Sequence, residues 1–222
     1  MKKNDVNLSI LNALFVVSLV ISNVVTGKLI YTGISIFEGT VVTLPGAGVC
    51  YAFTFLITDI IGELWGKEQA SRTVIYGLIG QVFATLLIVM TQYLPAADSN
   101  MQNSYNMILG QNWIFVLASL AAYFVSQLWD VWVFHKIRER IVAKKGNAHS
   151  RWIWNNASTM TSQIFDTVVF ISIAFGFGFG WFFKKEMYVV LLSMLIGQYV
   201  FKFILALIDT PLFYLFTHQK KS

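Results

Sequence analysis

The stretches SQLWDVWVF, Ser126–Phe134, and SQIFDTVVF, Ser162–Phe170, decide how the chain is read. Each sets a glutamine and an aspartate three residues apart among aromatic and aliphatic side chains. Near the centre of a membrane-spanning helix an ionisable side chain costs about 2.5 to 3.5 kcal/mol on insertion scales, so it needs a partner, a water-filled cavity or a task. Whether these stretches are such helices depends on what surrounds them.

They belong to a chain of 222 residues, 56% hydrophobic and only 12% charged, with a mean hydropathy of +0.64. That is far more apolar than a soluble domain. Crossing a hydrocarbon core of about 30 Å takes about 20 apolar residues, and six runs meet that length, at roughly 8–30, 45–65, 73–94, 113–135, 158–182 and 187–216. The expected fold is an all-α integral membrane protein, a single domain over residues 1–222 with six transmembrane helices.

The net charge of +5 tracks membrane topology and does not call for nucleic acid as a partner. Lys2 and Lys3 precede the first run, Lys67 and Arg72 lie between the second and third, and Lys136, Arg138, Arg140, Lys144, Lys145 and Arg151 follow the fourth. Lys220 and Lys221 close the chain. The connections after runs one and three carry Glu38 and Asp98 instead, so the positive-inside rule places both termini in the cytoplasm of a multi-pass protein of the inner or plasma membrane. Lys184 and Lys185, after run five, are the exception. Met1–Lys3 also suits the basic start of a signal peptide, but the run behind it is long and lacks a small-residue cleavage site. A single cysteine, Cys50, cannot form an internal disulfide, and three scattered histidines argue against a metal site. No cofactor is expected, and a homo-oligomer is compatible with the sequence.

Six runs with short connections suggest two inverted three-helix repeats, a frequent construction of secondary transporters. LIGQ occurs at Leu78–Gln81 and again at Leu195–Gln198, and an offset of 107 residues brings Asn23 onto Asp130 and Asp59 onto Asp166. Between runs one and two, GTVVTLPGAG (Gly39–Gly48) breaks helical continuity. It reads as ordinary external turn chemistry, with a re-entrant or short extended segment as the other possibility. FGFGFGWFF (Phe175–Phe183) pairs small with aromatic residues, suiting close helix packing or an interfacial anchor.

Helical spacing organises the polar residues. Asp59 and Glu63 are four residues apart, Gln127 and Asp130 three, Gln163 and Asp166 three, and Gln198 and Lys202 four, so each pair shares a helix face. Four such stripes facing inward would line a compact cavity with Lys202 as the counter-charge and Trp129, Trp132, Phe134, Phe165 and Phe170 nearby. Asp209, in DTP near the end of run six, suits either an interfacial turn or the site, and Glu63 lies close to the cytoplasmic boundary. Carboxylates accept pairs of N–H bonds, carboxamides read a carbonyl or ring nitrogen, and aromatic faces sandwich a ring. A flat, purine-like solute with adjacent N–H donors fits, and a cationic amine remains an alternative.

At these residues the sequence resembles the VUT family of queuosine precursor transporters. The resemblance is carried by SNVVTGKL (Ser22–Leu29), LPGAGVCYAFTFLITDIIGELWGKEQASR (Leu44–Arg72), SQLWDVWVF, NNASTMTSQIFDTVVF (Asn155–Phe170) and GQYVFKFILALIDTPLFY (Gly197–Tyr214), nearly the whole chain. It implies uptake of 7-deazaguanine bases, such as the cyano and aminomethyl precursors or queuine, for insertion into tRNA. It also implicates Asn23, Asp59, Glu63, Gln127, Asp130, Gln163, Asp166 and Lys202. One departure stands out: where the family pattern leads one to expect an arginine before the NN pair, this chain has Trp154, with Arg151 three residues earlier.

The expectation is an importer in which Asp130 and Asp166 read the base's N–H edge, Gln127 and Gln163 its other polar groups, Lys202 balances the carboxylates and Asn23 completes the site. Trp129 and Phe165 are further candidates, with Glu63 and Asp209. No nucleotide-binding motif is present, so coupling would be to protons or absent. The alternative is a substrate-binding component of an energy-coupled importer for another small heterocycle or vitamin. The rival from another class is an intramembrane aspartyl protease, whose Gly-Asp type of motif is missing; an enzyme is not expected.

Overall fold

The computed structural model describes residues 3–37, 39–145 and 151–217, without the side chains of residues 37, 127, 130, 131, 134, 135, 137–145, 151–159 and 206–217. Its first helix, α1 (Asp5–Val25), starts where Asn4 caps it, its side chain accepting the Asn7 N–H at 2.7 Å. Asp5 in the first turn complements the helix dipole. Two antiparallel strands follow, β1 (Leu29–Phe37) and β2 (Thr40–Pro45), pairing Leu29 with Pro45, Ile30 with Leu44 and Tyr31 with Thr43. The register is irregular beyond Tyr31, where Gly33 takes a positive φ of 75°.

This hairpin departs from the turn chemistry expected of GTVVTLPGAG. The β-branched run Val41–Thr43 favours a strand, and pairing with β1 satisfies backbone groups that hydrocarbon could not. At its base the Gly46 N–H donates to the Lys28 carbonyl at 2.7 Å. A side chain at Gly46 would run into the backbone oxygens of Val25 and Lys28, so the closure requires glycine.

α2 (Gly48–Trp65) and α3 (Lys67–Gln92) are joined by Gly66 alone, at φ 94°, a conformation L side chains rarely adopt. A short helix, α4 (Ser99–Ile108), capped by Asp98, leans on the end of α3 through Gln102 and Tyr105, which donate to the carbonyls of Gln92 and Ile88. α5 (Asn112–Lys145) and α6 (Arg151–Ile171) pack along one another, and α6 continues as a π-helical stretch over Ser172–Phe177. Two short 3₁₀ turns lead into α7 (Tyr188–Thr217).

Six helices among the described residues are long and apolar enough to cross a membrane. α4 and the hairpin are additions to the expected six-span pattern. Outward-facing residues such as Leu14, Val17, Phe83, Leu86 and Met90 are exposed; across six spanning helices such a surface is the lipid face.

Two apolar clusters hold the bundle. One joins α1 to α2 through Leu11, Phe15, Leu56, Ile57, Ile60 and Ile61. The other joins α5, α6, the π-helical stretch and α7 around Phe115, Phe170, Ile171, Phe175 and Met194. Phe175 contacts the rings of Phe115, Phe170, Phe179 and Trp181, so the FGFGFGWFF segment serves packing. Lipid tails are as apolar as these side chains, so close contact and not water exclusion makes such clusters stabilising. Small residues permit the contact: a methyl at Gly77 would strike Phe15 and Leu19, one at Gly80 Val16, and one at Gly197 Val42 of the hairpin.

Candidate functional site

Lys202 on α7 places its ammonium 2.5 Å from a carboxylate oxygen of Asp166 on α6 and donates a second bond to the Thr167 hydroxyl at 3.1 Å. The two side chains keep 15% and 28% of their exposure, because they look into a cavity. Each charge offsets part of the other's insertion cost, about 2.5–3.5 kcal/mol for a charge at the centre of a spanning helix.

The cavity has a volume of about 220 Å³, and α1, α2, α3, α5, α6 and α7 all contribute to its lining. Tyr51, Thr54, Phe55 and Thr58 come from α2, Ser119, Tyr123 and Ser126 from α5, and Ser162, Gln163 and Asp166 from α6. Gln198 and Lys202 come from α7. On every helix these positions recur at intervals of three or four, so one face of each turns inward. The Tyr51 hydroxyl lies 3.2 Å from that of Ser119, linking α2 to α5 across the cavity wall. The side-chain carbonyl oxygens of Gln163 and Gln198 are buried without a hydrogen-bond partner. A narrower cleft shares Tyr51, Phe55, Gln198 and Lys202 and is walled by Leu44, Pro45, Gly48 and Phe201, so the base of the hairpin borders the cavity.

Of the residues singled out by sequence, the structure brings Gln163, Asp166 and Lys202 together. Asn23 is buried between α1 and α3, outside the cavity lining, where its amide donates to Gln81 at 3.1 Å. Gln81 leads on to Thr85, which also accepts from Asn112 on α5. Asp59 and Glu63 are exposed and lie outside the lining. Trp129 packs in tilted contact with Phe165, centroids 4.1 Å apart, and with Trp132 at 5.2 Å, and the Lys136 ammonium sits 4.1 Å above the Trp132 ring. This aromatic ladder lies beside the cavity and not in its lining. The side chains of Gln127, Asp130, Phe134, Arg151, Trp154 and Asp209 lie outside the described residues.

Sequence reasoning missed Tyr51, Thr54, Thr58, Ser119 and Thr167, and weighed Gln198 only as the helix-face companion of Lys202. The signal was there in part: Tyr51, Thr54 and Thr58 keep one face, as do Ser119 and Ser126. Hydroxyls in helices are easily discounted because they bond to their own backbone, as Thr54 and Thr58 do to the carbonyls of Tyr51 and Thr54. Among the described residues no group of three His, Cys, Asp or Glu could hold a metal ion.

A six-span bundle that encloses an ion pair, hydroxyls and carboxamides between its helices is built as a membrane transporter for a small polar solute. The chain matches the model of the family described as "Putative vitamin uptake transporter" over residues 45–216 and belongs to that family. It is 32% identical over 169 residues to the "Probable queuosine precursor transporter" of Bacillus subtilis, a match covering 75% of this chain and 68% of that protein. Similarity extends to the "Probable queuosine precursor transporter" of Haemophilus influenzae, 30% over 127 residues, and the "Queuosine precursor transporter" of Escherichia coli, 25% over 126 residues. Those two matches each cover 56% of this chain, and 49% and 52% of the respective relatives. No solved structure matches the chain.

Proposed function

We propose that the chain imports queuosine precursors, 7-deazaguanine bases, across the inner or plasma membrane, releasing them unchanged for insertion into tRNA. The observation that carries this reading is the cavity of about 220 Å³ around the Asp166–Lys202 pair, in a chain similar to three proteins named as transporters of queuosine precursors. A flat base brings several N–H donors, a carbonyl and two π faces. The cavity offers carboxylate and carboxamide acceptors, the Lys202 ammonium and the rings of Tyr51 and Phe55.

The proposed contact set is Gln163, Asp166 and Lys202, with Gln127 and Asp130 as partners from α5; in sequence Asp130 follows the lining residue Ser126 by one helical turn. Asn23 and Asp59 stand outside it. Cytoplasmic termini are supported by the basic residues near the α2–α3 and α5–α6 connections, against Glu38 and Asp98 on the opposite connections.

The test is rescue of tRNA modification in a strain that can neither make the precursors nor import them. With precursor in the medium, the wild-type chain restores queuosine in tRNA, while Asp166→Asn at equal membrane abundance restores less than about a tenth, the loss expected when a charged hydrogen-bond partner goes. Failure of the wild-type chain to restore queuosine overturns the proposal.

A further inference from the structure

We propose that Gln198 is a ligand-reading residue, and that Gln163 and Gln198 form a two-ended clamp for N–H donors at opposite edges of a flat bicyclic base. This rests on the proposed function. Both side-chain oxygens are buried, both residues line the cavity, and neither oxygen has a hydrogen-bond partner. In the ion pair beside them, one Asp166 oxygen is already engaged by Lys202, and Lys202 also donates to Thr167. An acceptor kept buried and unanswered is costly, and a cavity lined by two such carboxamides is completed by a solute toward which each turns its oxygen and that donates to both.

Their placement defines the shape of that solute. Gln163 precedes Asp166 by three residues on α6, and Gln198 precedes Lys202 by four on α7. Consecutive spans run in opposite directions, so the two carboxamides lie on opposite sides of the ion pair, each displaced along the bundle by roughly 5 Å. The neighbours agree. Gln198 borders the cleft beside Leu44 and Pro45 at the base of the hairpin, and Gly197 packs under Val42. Gln163 adjoins Ser162, both line the cavity, and neither borders that cleft. A backbone separation of about 10 Å, shortened by the reach of two side chains, suits one fused ring system lying along the bundle axis. Such a base carries N–H donors on both rings: an exocyclic amine with its neighbouring ring N–H at one edge, and the pyrrole N–H at the other.

The test is competition for uptake of a labelled 7-deazaguanine into cells, using two unlabelled analogues: one lacking the exocyclic amine, one methylated on the pyrrole nitrogen. Wild-type protein discriminates against each by about tenfold or more, as one unanswered buried acceptor predicts. Gln198→Met, apolar and of similar length, loses discrimination against one analogue and keeps it against the other; Gln163→Met does the converse. Gln198→Glu retains an acceptor and retains the wild-type ratios. Because each ratio is internal to one variant, expression level cancels, and a merely structural role for Gln198 leaves both ratios unchanged, which overturns the proposal. Should Gln198→Met fail to reach the membrane, Gln198→Leu, which also removes the acceptor, carries the test, and unchanged ratios in it overturn the clamp. Wild-type uptake with no discrimination against either analogue sinks the clamp alone. A wild-type chain that takes up no deazaguanine sinks the proposed function and the clamp with it.

Discussion

At the scale of single residues, the Asp166–Lys202 pair governs what substitutions do. Breaking a fully buried pair from one side costs about 3–5 kcal/mol because the remaining charge is left uncompensated; here the cost is lower, since Asp166 keeps part of its exposure. Lys202→Met alone is therefore expected to lower the melting temperature in detergent more than the double variant Asp166→Asn/Lys202→Met does. In a thermal-shift double-mutant cycle the double variant recovers over half the loss, and strict additivity of the two single effects would show that the pair is not coupled. Both members of this pair were legible in the sequence because membrane insertion makes every charge conspicuous, but that Asp166 and not another carboxylate meets Lys202 was not. The hydroxyl lining was not, since a serine or threonine facing a cavity and one bonded to its own helix look alike in a sequence. Asn23 was conspicuous for the same reason as the charges, yet its amide is engaged by Gln81, a contact 58 residues away in sequence that no local pattern announces.

Among the elements, the hairpin and α4 are those that spacing rules did not resolve, and the hairpin is the one that borders the cavity. The six spans emerged from length and hydropathy because a membrane imposes both, whereas a strand pair packed on the side of a helix depends on a partner surface. That surface is the first half of α7, where Gly197 leaves room for Val42 and Leu44. Gly197→Leu is expected to push the hairpin off α7 at a cost of about 1–3 kcal/mol, the usual range for overpacking, and to reduce uptake because the hairpin base borders the cavity. Val42→Ala in the same chain restores part of both losses by vacating the space. Melting temperature and uptake measured on the two single variants and the double variant check this; a neutral Gly197→Leu would mean the hairpin does not depend on that contact.

For the whole molecule, the contacts between helices bear on which of them a transport motion would have to break. α1, α2 and α3 are tied together by the Leu11–Ile61 cluster and by Asn12–Thr73 and Asn23–Gln81. α5, α6 and α7 are tied by the Phe115–Phe175 cluster and the Asp166–Lys202 pair. The cavity lies between these two groups, which are joined by the packing of α7 against α2 and the hairpin and by side-chain hydrogen bonds that include Tyr51–Ser119 and Thr85–Asn112. Alternating access by rocking one half against the other must break the crossing contacts and spare the internal ones. Two cysteine pairs separate the cases, both made after Cys50→Ser removes the native thiol. Thr85→Cys/Asn112→Cys joins the halves, and Asn12→Cys/Thr73→Cys joins α1 to α3 within one half. Both replace short side chains already in contact, close to the reach of a disulfide. Oxidation of the first pair is expected to stop uptake, and reduction to restore it, while oxidation of the second leaves uptake near the reduced level. Transport that continues through a fully formed 85–112 bridge would mean the halves do not rock about this contact, and the pathway would have to open within one half.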